Sequence, residues 1–409
     1  MYIKNIITGL TIALITSNFS FAESRKEHFD SFIARILDNS TPIQIKKLEL
    51  EAETYRAKQT EYFYAPKLTA TTKVKKHDNT ANSQLTATSL VYDSALHHRF
   101  NEKNLKISAA KLLLAKEKED LYASITNNLI GIHFLNELTK TTSDLHHNAQ
   151  DIFSLINRRY QSGIAKMSDV EQATLLMQRL ETEQKNIKTE IDQYKSNIEL
   201  TSGILFPKDG VLIPQTLIKQ LSSTVIDNKN IENSTELNIL STQANVMKES
   251  AYQQNSLFNV HVIAEERYVD KQKSYNESYI GLEVKFNILD LDKKMSEIAQ
   301  LKVYDAAINR KDYKHKEIIA RIKNLQLISS SNDIELSSLK AQLKTMNSII
   351  KSKKREYEIS QSSFYEMVNT LFDMLTIERK ITELMISDIK NKIEYLQLTG
   401  RLIKSETPD

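Results

Sequence analysis

Residues 278–288 read SYIGLEVKFNI. Ile280, Leu282, Val284, Phe286 and Ile288 fall on one face and Gly281, Glu283, Lys285 and Asn287 on the other, the period of two that a strand with one apolar face requires. A partner strand is predicted over 257–268. An earlier pair occupies 67–75 (KLTATTKVK) and 84–92 (QLTATSLVY), with HDNTAN at 77–82 as turn chemistry between them. Leu85, Ala87, Ser89 and Val91 are expected on the equivalent apolar face. Tyr92, Phe258, Tyr268 and Tyr279 stand near strand ends, where an aromatic belt would lie. Four short strands cannot close a barrel, and their two edges cannot stay unpaired in hydrocarbon. Three copies would supply twelve strands and close the sheet, and strands of about ten residues suit an outer membrane. A small soluble sheet packed on helices is the other reading of the same residues.

Outside these strands the chain lacks helix breakers. Its 409 residues hold Gly 7 and Pro 5, where average usage gives roughly 29 and 20. No proline occurs in 67–206 or 215–407. Helices are predicted over 41–64, 94–159, 167–202, 235–255, 291–356 and 364–403. Ser40-Thr41-Pro42 is a helix start, Gly163 marks a turn and Gly203 closes a helix. Helix 94–159 would span roughly 99 Å, and the two shorter helices of its half roughly 90 Å end to end. An offset of 197 relates Tyr92-Asp93 to Leu289-Asp290, and Tyr160-Gln161-Ser162-Gly163 to Tyr357-Glu358-Ile359-Ser360. The expected plan is therefore mainly α with a small β part. Two tandem repeats, 23–203 and 233–403, flank a connector at 204–232, and 404–409 is a tail. Heptad stripes run through Val170, Ala173, Met177, Leu180, Gln184, Ile187, Ile191, Tyr194 and Ile198, with one polar break at Gln184, and through Leu336, Leu339, Leu343, Met346, Ile350 and Tyr357. These are seams of antiparallel coiled coils.

Residues 1–22 read as a secretory signal: Lys4, a short apolar run from Ile6 to Ile15, and Ser20-Phe21-Ala22 before a mature start at Glu23. Cys 0 excludes a disulfide framework, a cysteine metal site, a cysteine nucleophile and lipoprotein acylation. A net charge of +3 predicts no nucleic-acid partner. Mean hydropathy of −0.42 excludes a bundle of transmembrane helices. The sequence contains no G-x-x-x-x-G-K-[ST], H-E-x-x-H, G-x-S-x-G or EF-hand motif. His97-His98 and His146-His147 are adjacent pairs whose side chains diverge on a helix, so neither chelates alone. The expectation is no enzyme, no cofactor and no metal.

The stretch 158–173, RRYQSGIAKMSDVEQA, together with the strand end Ser89-Leu90-Val91-Tyr92-Asp93 and the element order, resembles the TolC-like outer membrane efflux proteins. The resemblance covers almost all of 23–403. It departs where glycines are missing after Asp93 and Asp290 and where Ser360 replaces a preferred glycine. It implies a homotrimer with a twelve-strand outer-membrane barrel and an α-helical periplasmic barrel. The periplasmic tip would be opened by an adaptor that links it to an inner-membrane transporter. The turns around Gly163 and Ser360 would form that tip. Carried over position by position, Glu366 stands at the constriction, Asn369 stands where many members have a second acid, and Asp169 is the acid of the first hairpin. Ser362 stands where some members have an arginine that ties the hairpins shut, and Arg158 or Arg159 is the candidate replacement. Tyr160 and Tyr357 are expected to pack in the turns. Three Glu366 side chains around one axis would repel one another and attract cations; read alone, Glu366 is a solvated glutamate at a helix start. The implied function is the exit duct of a tripartite efflux pump or type I secretion system. The alternative is a structural periplasmic coiled-coil protein, an adaptor or scaffold with no pore.

Overall fold

The computed structural model describes residues 26–75, 80–254, 256–269, 277–288, 290–358 and 364–403. The signal segment and the tail lie outside them. Six long helices and four long strands occupy the predicted positions. In chain order the elements are β1 (Glu27–His28), α1 (Phe29–Asn39), α2 (Thr41–Glu61), β2 (Lys67–Lys75), β3 (Thr80–Asp93), α3 (Leu96–Gln161) and α4 (Met167–Ser202). They continue with β4 (Val211–Leu212), α5 (Gln215–Ser222), α6 (Thr235–Gln253), β5 (Phe258–Val269), β6 (Glu277–Phe286), α7 (Leu291–Glu358) and α8 (Phe364–Leu398). β3 begins four residues earlier than predicted because the ladder with β2 continues to the pair Lys75↔Thr80. The connector contains short elements of its own. β4 pairs in parallel with β1, and α1 buries Phe29, Phe32, Ile33 and Ile36 in the central core, so the segment after residue 26 is anchored there.

The long strands form one antiparallel sheet in the order β2-β3-β5-β6, open among the described residues, with β2 and β6 at its edges. The helices that continue these strands keep the same order: α2 packs on α3, α3 on α6 and α6 on α7. Each long helix also runs beside a second, α3 beside α4 and α7 beside α8.

Cross-strand register separates two chemistries. Phe258 faces Phe286, Val260 faces Val284, Val262 faces Leu282 and Ala264 faces Ile280. Across the next ladders Ala264 meets Ala87, and Ala87 meets Leu68. This apolar face is uncovered: Ile280 is 81% and Leu282 73% exposed. The other face carries Thr69 beside Thr86, Asn259 beside Lys285 and His261 beside Glu283. The register keeps Tyr92 of the expected belt on the apolar face and corrects the place of Tyr279. Val91 is skipped in the register between Leu90↔His261 and Tyr92↔Val260, and this bulge turns Tyr92 onto the apolar face. There Tyr92, Phe258 and Phe286 form a stacked row, with ring centroids 5.2 and 5.8 Å apart. Tyr279 lies on the polar face, where its hydroxyl donates to Glu265 Oε2 at 3.2 Å.

The passage from strand to helix is fixed by buried polar groups. Asp93 is 3% exposed; its Oδ1 accepts from the Ala95 N–H at 2.9 Å and the Ser256 hydroxyl at 2.6 Å, and its Oδ2 meets Arg99 Nη2 at 2.7 Å. Ser94 Oγ accepts from the Leu257 N–H at 2.8 Å. At the start of α7, Asp290 Oδ1 accepts from the Lys293 N–H at 3.0 Å, which holds the Asp290 carboxyl below the usual range. Asp290 thereby caps α7, and Asp93 ties the residue before α3 to the strand end, each just ahead of the positions where the resemblance would place turn glycines.

A further close junction forms where the end of α8 meets the start of α6. Gly400 has φ +62°, and a Cβ there would lie 2.2 Å from the Asn233 carbonyl oxygen. Close by on α3, buried Glu119 has one carboxylate oxygen, Oε2, without a hydrogen-bond partner. Burial pushes its pKa from 4.5 to about 7, against the opposing pull of Lys116 and a Thr235 hydrogen bond.

Two outcomes follow for stability. Gly400→Ala should destabilise the protein more than Gly163→Ala. The second meets open space and carries only the left-handed backbone cost of about 1–2 kcal/mol; thermal unfolding by circular dichroism measures both. Between pH 4.5 and about 7 the folded chain keeps a Glu119 proton that the unfolded chain has lost, so stability falls as pH rises through that window. Glu119→Gln should flatten this slope and melt higher than the parent above the window.

Candidate functional site at the helical tip

At the far end of the helices from the sheet, α3 turns into α4. Gly163 has φ +74°, the left-handed conformation that glycine adopts at low cost. The Gly163, Ile164 and Ala165 N–H groups return to the carbonyls of Tyr160 and Arg159 at 2.9, 2.8 and 3.2 Å, which ends α3. Asp169 Oδ2 accepts from the Lys166 N–H at 3.2 Å and starts α4. Behind the turn, Ile152 and Ile156 of α3, Leu176 and Leu180 of α4, and Phe364, Met367 and Leu371 of α8 share one apolar cluster.

Tyr357 is buried in that cluster beside Phe364, whereas Tyr160 is exposed. Arg159 crosses from the first hairpin to the second: Nη1 donates to the Tyr357 carbonyl at 2.9 Å, and the guanidinium lies 4.5 Å from the centre of the Tyr357 ring. Burial pushes the Tyr357 phenol up, and Arg159 opposes that shift. Of the two candidate arginines, Arg159 makes this crossing, and Arg158 is exposed.

Glu366, in the first turn of α8, meets Lys353 Nζ of α7 at 2.5 Å. Lys353 also approaches Glu356 at 3.4 Å. The Glu366 carboxylate holds the Lys353 ammonium above the usual lysine value. The expected bare carboxylate is therefore paired within its own chain. Lys353 was not singled out in the sequence, although it belongs to a basic run, Lys351-Ser352-Lys353-Lys354-Arg355, at the end of a helix. Asn369 is half-buried one turn further along α8. Ser360 and Ser362 lie outside the described residues.

No group of three or more metal-ligating side chains assembles among the described residues. His98 Nδ1 lies 2.7 Å from Glu249 Oε2, His97 contacts Asn101, and His146 lies 4.0 Å from Glu181. No helix among the described residues is long and apolar enough to cross a membrane.

Arg159→Ala should accelerate amide hydrogen exchange at 355–358 and 160–165 by roughly tenfold, the loss of one hydrogen bond and one cation–π contact. Arg158→Ala should leave both segments at the parent rate.

No family model and no curated protein matches the chain. Solved structures do. CusC is 11% identical, with 94% of this chain and 95% of that chain covered at a TM-score of 0.76. VceC of Vibrio cholerae, an outer membrane protein, is 12% identical, with 91% and 95% covered at 0.73. The CmeC outer membrane channel of Campylobacter jejuni is 9% identical, with 100% and 96% covered at 0.72. At these identities the likeness is one of backbone architecture, and it extends over nearly the whole of each chain. The chain therefore has the fold of the bacterial outer membrane channels, the fold that its strand pattern and its 158–173 turn led us to expect.

Proposed function

We propose that three copies of this chain form an outer membrane channel, the exit duct of a tripartite efflux pump or type I secretion system. The observation that carries this reading is a sheet with an uncovered apolar face and two open edges. A protein in water covers such a face. In lipid, the same face is the outer wall of a barrel and the polar face is its lumen.

The helices support the same closure. On edge helix α2, Ile45, Leu48, Ala52 and Tyr55 are exposed along one heptad-spaced stripe. On edge helix α7, Leu291, Met295 and Ile298 are exposed at spacings of four and three. α2 runs toward the sheet and α7 away from it, so α2 of one copy meets α7 of the next as an antiparallel coiled coil. β2 then meets β6 of that same copy. Different surfaces pair in one rotational sense, a contact that closes into a ring when three copies complete one turn. We read the two halves of the chain as a duplication, with 1–22 as the export signal.

The tip around Gly163 is the proposed adaptor contact, in the periplasm. There Tyr160 and Met167 offer exposed apolar side chains. Arg159 takes the part of the absent tip arginine. Glu366 and Asn369 line the constriction, with Lys353 of the same hairpin screening Glu366, and Asp169 is the acid of the first hairpin. Energy for transport comes from an inner-membrane partner, and the chain itself catalyses no reaction. A scaffold without a pore would leave the apolar sheet face unexplained.

Purified protein should run at the native size of three chains and give single channels in planar bilayers; a water-soluble monomer without conductance would overturn the reading. Leu282→Arg should cost about 2–4 kcal/mol at the middle of the lipid face and deplete the protein from the outer membrane, while Glu283→Gln on the opposite face should assemble normally.

A further inference from the structure

The apolar contacts that join α4 to α8 fall into two clusters, with Ile377, Ile381 and Leu384 of α8 buried between them. One cluster serves the tip, through Leu176 and Leu180 of α4 and Leu371 and Met374 of α8. A separate cluster serves the centre of the molecule, through Ile187, Ile191 and Ile198 of α4 and Ile386, Ile389 and Ile393 of α8. The break coincides with Gln184, the one polar residue in the α4 heptad stripe.

At that level a guanidinium bridges α8 to α4. Arg379 of α8, about 23 Å along the helix from Phe364, donates from Nη1 to Glu183 Oε1 at 2.8 Å and from Nη2 to Glu190 Oε1, both on α4. Its Nε donates to Glu383 Oε1 of its own helix at 3.2 Å. The side chain is 26% exposed. Charge-assisted bonds at a partly buried guanidinium hold more strongly than neutral ones. Nearer the tip, two further cations cross between the hairpins: Arg159, which also donates to the Tyr357 carbonyl at 2.9 Å, and Arg179, 4.4 Å from the centre of the Phe372 ring. Each places a cation over an aromatic ring.

We propose that Arg379 sets the limit of hairpin separation: on its tip side the α3–α4 and α7–α8 pairs part as one unit, and on its central side they stay together. This proposal rests on the channel reading for its purpose, though not for its geometry. Three carboxylates surround one cation. Without Arg379, Glu183, Glu190 and Glu383 would repel one another across the interface and drive the helices apart. Neutralising the two α4 glutamates as well would remove that repulsion.

The chain has no cysteine, so pairs of introduced cysteines carry spin labels at known places. Ser154 with Lys351 reports the tip side, and Gln193 with Asn324 the central side, all four being exposed. Labelled chains are assembled with an excess of unlabelled ones. Arg379→Met should lengthen and broaden the Ser154–Lys351 distance and leave Gln193–Asn324 unchanged. Adding E183Q and E190Q should return the tip distance toward that of the parent. In planar bilayers, Arg379→Met should raise mean conductance severalfold, and the triple variant should bring it back to within about twofold of the parent.

An unchanged tip distance in Arg379→Met, or an equal change on the central side, would overturn the proposal. So would failure of the triple variant to reverse it. A parent protein without conductance would count against the channel reading alone, because the distances decide the role of Arg379 independently.

Discussion

The outer sides of β2 and β6 are two rows of backbone amides and carbonyls with no strand beside them among the described residues of a single chain. The whole architecture is arranged around those edges. The sheet order β2-β3-β5-β6 is repeated by the helices α2-α3-α6-α7, so whatever neighbour completes the sheet also completes the helical layer. An edge in water can be protected by charge or twist. An edge in hydrocarbon has no remedy but another strand. The apolar stripes on α2 and α7 show that the chain keeps unpaired helix surface at the same two flanks.

Keeping two layers in register over such length requires stiff joints. Asp93 provides one, since a single buried carboxylate binds the first turn of α3, the strand entry at Ser256 and the Arg99 guanidinium. The skipped residue Val91 provides another, by turning Tyr92 into the aromatic row with Phe258 and Phe286. Toward the tip the joints change character. Arg159 on Tyr357, Lys353 on Glu366 and Arg379 on its three glutamates are polar contacts between helices whose apolar packing is divided into separate clusters. Apolar cores resist partial opening, because any gap loses its packing contacts. Polar crossings can be exchanged for water, so a segment held partly by them is suited to movement.

Much of the fold was legible in the residues. The strands 67–75 and 278–288 were marked by period and composition, and the long helices by absent glycine and proline. The start of α4 at Met167 and its end before Gly203 could be placed from local signals alone, since capping chemistry acts within one turn. The site was legible in part. Gly163 and Asp169 make contacts within a few residues of chain, the range over which local signals act. The partners of Glu366, Arg159 and Arg379 lie 13, 198 and up to 196 residues away, and no local pattern names them.

By itself, the sequence determined the place and type of the long helices and strands, the alternation that makes one sheet face apolar, and the turn at Gly163, because these depend on side chains within a turn or two of one another. Only the tertiary structure decided that Tyr92 stands on the apolar face and Tyr279 on the polar one, that Lys353 neutralises Glu366, and that Arg379 sits alone among three carboxylates. The physical reason is that such contacts depend on the register between strands and on the rotation and height of one helix against another. A single slipped residue or a tilted helix axis resets both, and neither is encoded in any short stretch of chain.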